Sequence, residues 1–406
     1  MIDILLFSVW FPFYFLVRKK ISSGNIYFFF LLCMLLPASI GTLSTSWFHE
    51  VQFSNIIVFS ICLIVGFLPW YTFDKNMQSI RIIITQKGAK ALKKVFITLI
   101  TLSLFSIVYL APSAVISTLL GADETRALLY SGEYDLLPKS PLTTIAVAGS
   151  ACWIYCVLFF FIASLTPSLK TYRIWLVISS FSYIVHCMAI TARDGLILVP
   201  TLYLVCYLIF RNSLKKQITE LIKRQLKFVF IAACTLLILF SLSRFSGDNK
   251  TTDWDRVYSG TVGYITQQPY VFDATIEGQN DFWGFECRFP LINRLIGIKE
   301  HDVNRRDNSF EWGFGTMYAE HYSAFGWLGL VLITLSFVGY YGIGISFLIK
   351  NKNIFGTLML FIIYSFIVLS GMFYTRAGSS VSLNIFYFSL STIPFFLPKY
   401  LTYARF

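Results

Sequence analysis

The residues best suited to chemistry fall in one polar stretch, Arg244 to Phe325, of a chain that is otherwise largely apolar. Within it Arg305-Arg306 is followed at once by Asp307-Asn308. Two adjacent guanidiniums offer planar forks that bind phosphate or pyrophosphate oxygens bidentately. The same residues also suit a solvated loop in which Arg and Asp pair locally. Further on, the aromatic, glycine-punctuated run from Phe310 to Gly326 carries Glu320-His321. A neutral imidazole is available near neutral pH to take a proton from a hydroxyl, which makes His321 a candidate general base. Glu320, Glu311 and Asp307 are rival bases, and an interfacial histidine among aromatics is the purely structural alternative. Trp312 and Tyr318, with the other ring residues of the stretch, suit either stacking on the apolar faces of sugars or an aromatic belt at a membrane surface.

Three more candidates lie elsewhere. Arg193 sits in the turn Ala192-Arg193-Asp194 between two apolar runs, with His186 seven residues before it. If that helix runs straight, His186 shares a face with Arg193 about two turns deeper. The pair then reads as a rigidly mounted cation above a buried imidazole. The structural alternative is a snorkelling Arg paired with Asp194 and a core His bonded to a neighbouring helix. Arg376, in the short loop 375–380, is a further cationic point. Asp253-Trp254-Asp255 has the form of a carboxylate metal site without a third ligand, so neither a metal nor another cofactor is expected.

These residues need a scaffold, and composition says what kind. A chain of 406 residues that is 56% hydrophobic and only 13% charged is not a soluble globule. Its repeated apolar runs predict an all-α polytopic membrane protein, one integral domain over 1–406. The expected spans are 4–17, 26–43, 55–73, 95–112, 142–165, 174–191, 195–210, 228–243, 327–349, 356–374 and 381–398. Asp3 precedes the first span and Arg18-Lys19-Lys20 follows it, the reverse of a cleaved secretory signal. Alternating the loops places 21 Lys and Arg with two acids on one side, and 12 with 19 acids on the other. Basic loops stay cytoplasmic, so the N-terminus and the 244–325 loop are expected outside and the C-terminus inside. The net charge of +12 thus reports orientation rather than nucleic-acid binding. The basic segments 81–94 and 211–227 are expected to lie as mildly amphipathic loops on anionic lipid. Seven of the eight cysteines fall in apolar spans, which excludes a disulfide framework. His186 is the one ionisable group well inside a span, which argues against an ion-coupled transporter.

With these features the chain resembles the Wzy-type O-antigen polymerases, bacterial membrane enzymes that join oligosaccharide repeat units. The resemblance covers the whole length. Its most specific part runs from Arg306-Asp307-Asn308 through Tyr318-Ala319-Glu320-His321 to Phe325-Gly326-Trp327-Leu328-Gly329, a Phe-Gly-x-x-Gly motif at the start of a helix. The Ala-Arg-Asp-Gly junction at 192–195 is a second point of similarity. The resemblance implies a C-type membrane glycosyltransferase architecture in the bacterial inner membrane, with the large loop in the periplasm. It implies undecaprenyl-pyrophosphate-linked glycans as donor and acceptor, and a chain-length regulator protein as partner. His321, Glu320, Arg193 and Arg306 would then be catalytic. Arg305, Arg376, Asp307, Asn308, Tyr318, Trp312 and His186 would line the substrate site. The rivals are an O-antigen ligase using the same donor, a polysaccharide flippase or transporter, and a non-catalytic membrane scaffold.

Overall fold

A computed structural model of the chain describes Pro12, Phe15 and residues 52–77, 80–119, 137, 140–190, 192, 194–245, 268–278, 316–373 and 390–405. They are mostly α-helical. The helical stretches Phe53–Met77, Gln86–Ser117 and Phe325–Lys350 are each long and apolar enough to cross a membrane. Pro141–Ala151 and Trp153–Ser164 form a fourth such stretch, bent by 41° at the break between them. The expectation of a helical membrane protein holds at this level.

The contacts divide the chain into two compact units. The first contains α1 (Phe53–Gly66), α2 (Leu68–Met77), α10 (Gln268–Gly278) and α11 (Met317–Lys350), with the later turns of α12 (Ile354–Phe373). Its core is aromatic. Trp70 and Tyr364 meet edge to face at 5.9 Å, and Tyr341 lies 5.3 Å from Tyr364 and 4.9 Å from Phe337. The Tyr364 hydroxyl donates to the carbonyl of Gly66, where the chain steps from α1 to α2. That bond satisfies a helix-end acceptor that lipid could not.

The second unit contains β1 (Ile80–Ile84), α3 (Gln86–Leu119), α4 (Pro141–Ala151), α5 (Trp153–Ser164), α6 (Tyr172–Ser180), α7 (Ser182–Ala189), α8 (Asp194–Phe210) and α9 (Lys216–Phe245). The first turns of α12 and β2 (Leu401–Arg405) complete it. Every residue of α5 is buried, so this helix is the unit's centre. Ser140 caps α4 by accepting from the backbone N–H of Thr143 at 3.1 Å, with Pro141 at the first helical position.

Three local expectations are corrected. The segment expected as a loop at 74–94 contains a strand. Ile80–Ile84 pairs antiparallel with Leu401–Arg405, so among the described residues a two-stranded ribbon accompanies the helices. Ile80 and Ile82 are buried while Arg81 and Ile83 face out, the alternation that a half-buried ribbon needs. Most of the basic stretch 211–227 is likewise regular, since α9 begins at Lys216. The expected span 381–398 is not α-helical to its end: past residue 390 the chain turns, Ile393–Phe396 is a short 3-10 turn and 397–400 is irregular. Pro394 and Pro398 lack the N–H that an α-helix uses.

Candidate functional site

In the first unit the site grows from α10, a helix formed within the long polar segment. Pro269 stands at its second position, where a missing N–H costs nothing, and its first turns are buried from Gln268 to Ala274. It packs against α1 and the start of α11, with Phe272 and Phe59 rings 5.3 Å apart. This packing carries two carboxylates to the N-terminal end of α1. Asp273 is fully buried, and its Oδ1 accepts from the backbone N–H of Gln52 at 3.1 Å and from Asn55 Nδ2 at 2.9 Å. Asn55 Nδ2 also donates to Glu277 Oε1 at 3.2 Å. The two carboxylates thus share one amide. Asp273 is a buried anchor, whereas Glu277 is exposed.

The facing wall is the first part of α11. Thr316 caps it, accepting from the Ala319 N–H at 3.4 Å. Tyr322 lies near enough to Glu277 to feel its charge: its hydroxyl is pushed above the usual value, first by burial and then by that carboxylate. His321 is its neighbour in sequence and is half-buried. Tyr318 is fully buried, its hydroxyl has no hydrogen-bond partner among the described residues, and burial followed by the Cys62 thiol raises its pKa well above the ordinary value.

The Phe-Gly-x-x-Gly motif acquires a physical reason here. Gly326 has φ 66° and ψ −158°, a conformation that side-chain-bearing residues avoid, and it breaks α11 between the 317–325 turns and the apolar span. A Cβ on Gly329 would stand 2.2 Å from Phe325 Cβ and 3.1 Å from the His321 carbonyl. Tyr322 and Trp327 meet edge to face at 5.2 Å across the break. The two glycines therefore set the orientation of the turns that carry Tyr318, His321 and Tyr322.

The second unit holds the other described candidate, His186. Its Nδ1 lies 3.1 Å from Ser150 Oγ. Ser150 spends its one proton on the Val147 carbonyl at 2.7 Å, so His186 Nδ1 is the donor. His186 is therefore bonded to a neighbouring helix. The straight helix assumed for 174–191 is not formed: the chain turns at Phe181, and α7 ends at Ala189. Ile190 leaves helical geometry and Ala192 N–H closes back on the Cys187 carbonyl at 2.8 Å. Helical periodicity thus cannot be carried from His186 to Arg193. At the junction Asp194 accepts from the Tyr183 hydroxyl and from Cys187 Sγ at 3.2 Å, tying α7 to α8. Gly195 permits this, since a Cβ there would meet Cys187 Sγ at 3.0 Å. Trp153 stacks on Tyr183 at 5.1 Å and completes the brace.

Arg193, Arg305, Arg306, Asp307, Asn308, Trp312 and Arg376 lie outside the described residues, and Glu320 is described only as a backbone position of α11. Of the expected site residues, the structure describes Tyr318 and His321 in the first unit and His186 in the second. Asn55, Asp273 and Glu277 were not among the expected residues. Their local signal is faint: the apolar run Tyr270-Val271-Phe272 after Pro269 is the mark of a helix start inside a polar segment. Among the described residues no three His, Cys, Asp or Glu side chains gather as metal ligands. No family model, curated protein or solved structure matches this chain.

Proposed function

We propose that the protein is an O-antigen polymerase, a membrane glycosyltransferase that joins undecaprenyl-pyrophosphate-linked repeat units and releases undecaprenyl pyrophosphate. The observation that carries the reading is the seating of α10 against the beginnings of α1 and α11. It puts an accessible carboxylate, Glu277, beside Tyr322 and next to the turn bearing His321. In this proposal the acceptor hydroxyl attacks the anomeric carbon of the donor glycan while the bond from that carbon to the pyrophosphate oxygen breaks. Glu277 or His321 takes the hydroxyl proton. The leaving pyrophosphate gathers negative charge, which preorganised guanidiniums stabilise. Arg193, Arg305, Arg306 and Arg376 are the proposed sources, with Asp307, Asn308, Trp312 and Tyr318 along the glycan. The reaction requires no metal in this scheme.

The finer topology belongs to the same proposal. Eleven spans, the last ending before the 3-10 turn at Ile393, a periplasmic 244–325 segment, a periplasmic N-terminus and a cytoplasmic C-terminus in the bacterial inner membrane are the topology proposed from the basic residues being gathered in alternate loops. The resemblance of 306–329 to the polymerase motif supports polymerase over ligase.

The test is deletion in the host, complemented by wild type and by Glu277→Gln, His321→Ala and Arg306→Ala, with surface glycan read as a gel ladder. The expected result is lipid A core carrying a single repeat unit in the null strain and in well-expressed variants. A full ladder in the null strain rejects the reading. Loss of even the single unit moves the assignment to a ligase or flippase.

A further inference from the structure

The second unit contains a groove of about 660 Å³ between α5, α6, α8 and α9. The apolar faces of α6 and α9 form its walls, including Val177 and Phe228, and Phe160, Val199 and Tyr203 form its floor. Two of its polar side chains are already spent within the fold. The Tyr203 hydroxyl is bonded to Ser180 Oγ at 2.8 Å, and Ser164 Oγ donates to the Phe160 carbonyl at 2.8 Å. A bound peptide would bury backbone N–H and C=O groups here without partners, whereas a hydrocarbon chain has none to satisfy.

Two cationic side chains, Arg173 and Arg224, are also among the lining residues. Arg173 is half-buried and oriented by its Nε donating to the Ala163 carbonyl at 3.4 Å, which leaves the rest of its guanidinium fork available. Among the described residues neither arginine has a carboxylate within ion-pair distance, although Glu220 stands one helical turn before Arg224. The surrounding segments 165–173 and 211–227 hold eight Lys and Arg against that one acid. The groove is thus an apolar channel with two guanidiniums in its lining and basic segments around it.

We propose that this groove binds one anionic phospholipid, with an acyl chain along Phe160, Val177, Val199 and Phe228 and the phosphate between Arg173 and Arg224. Charge complementarity with the two guanidiniums, and the already bonded hydroxyls of Tyr203 and Ser164 in an otherwise apolar lining, select this occupant. The site does not depend on the proposed glycosyl transfer, and its test fails or succeeds separately from the glycan ladder.

The experiment is native mass spectrometry of the purified full chain in a neutral detergent, titrated with phosphatidylglycerol or phosphatidylcholine. Two basic side chains at an anionic headgroup are together worth roughly a thirtyfold preference. The expected result is one retained phosphatidylglycerol, favoured over phosphatidylcholine by about ten- to thirtyfold. Arg173→Gln with Arg224→Gln reduces that preference to near unity while the melting temperature of the lipid-free protein is kept. Val177→Trp, which fills the channel, removes both lipids. Should that variant fail to fold, Phe228→Gln at the exposed rim serves in its place and weakens both lipids alike. Equal retention of the two lipids by wild type, or an unchanged preference in the double arginine variant, overturns the proposal. So does displacement of phosphatidylglycerol by an equal concentration of a polyprenyl phosphate, which would give the groove to the lipid-linked substrate instead.

Discussion

Asn55 is the keystone of the carboxylate cluster, and its replacement gives the sharpest test of how the site is built. Its amide reaches Asp273 at 2.9 Å and Glu277 at 3.2 Å. A hydrogen bond to a charged group contributes about 1.5–3 kcal/mol when buried. The Asp273 bond qualifies, because Asn55 is 5% and Asp273 0% exposed. The Glu277 bond ends on an exposed carboxylate and contributes only a few tenths of a kcal/mol. Gln52 N–H still holds Asp273 in the variant, so Asn55→Ala costs about 2 kcal/mol in the docking of α10. That corresponds to a roughly thirtyfold rise in the local opening constant. Hydrogen exchange of the α10 amides, followed by mass spectrometry, reads this directly. Exchange in α5 should stay unchanged, since α5 lies in the other unit. Asn55→Asp sets a third carboxylate against Asp273, so the introduced carboxyl holds a proton more readily than in the unfolded chain. The variant is then least stable above neutrality and recovers as pH falls. Unchanged α10 protection in Asn55→Ala, or no recovery of Asn55→Asp in acid, would refute the arrangement.

Other consequences are testable in the same protein. Gly326→Ala should lose about 1–3 kcal/mol from its backbone conformation and Gly329→Ala should lose folded yield through its clash, whereas Gly339→Ala, with nothing within 4 Å, should be tolerated; melting in detergent ranks the three. Tyr183→Phe removes a donor from Asp194 and should lower stability by about 1–3 kcal/mol, and an unshifted melting curve would mean that the α7–α8 brace is idle. Ser213→Ala removes the acceptor that Ile82 N–H meets at 2.7 Å, and should raise hydrogen exchange in β1 by about tenfold with α10 unaffected.

What could be read from the chain depended on the range of the forces involved. Apolar runs at 55–73, 95–112 and 327–349 correspond to helices because burial in lipid must be written into composition residue by residue. Gly326 and Gly329 were visible as a motif, and their reasons, a positive φ and a 2.2 Å contact, are local to one helix. The ribbon was not legible, since Ile80–Ile84 finds its partner at the other end of the sequence. Glu277 was equally hidden. Nothing in its neighbours distinguishes it from the other acids of the polar segment, and its importance comes from Asn55 and Tyr322, each distant in the chain. The placing of His186 beneath Arg193 rested on an unbroken helix, which periodicity assumes, and the chain leaves helical geometry at Ile190.

The ribbon also sets a timetable. At roughly 5–20 residues per second, translation delivers Leu401 about 15–65 seconds after Ile80 has emerged. Throughout that interval the Ile-rich edge of β1 has no strand to pair with, and Gly88, whose missing side chain leaves room for the Tyr400 carbonyl, faces an empty place. A nascent chain stalled anywhere before Leu401 carries every preceding helix and still presents an open β edge. That edge is a molecular mark of the unpaired state, available to proteases and chaperones until β2 arrives and erases it.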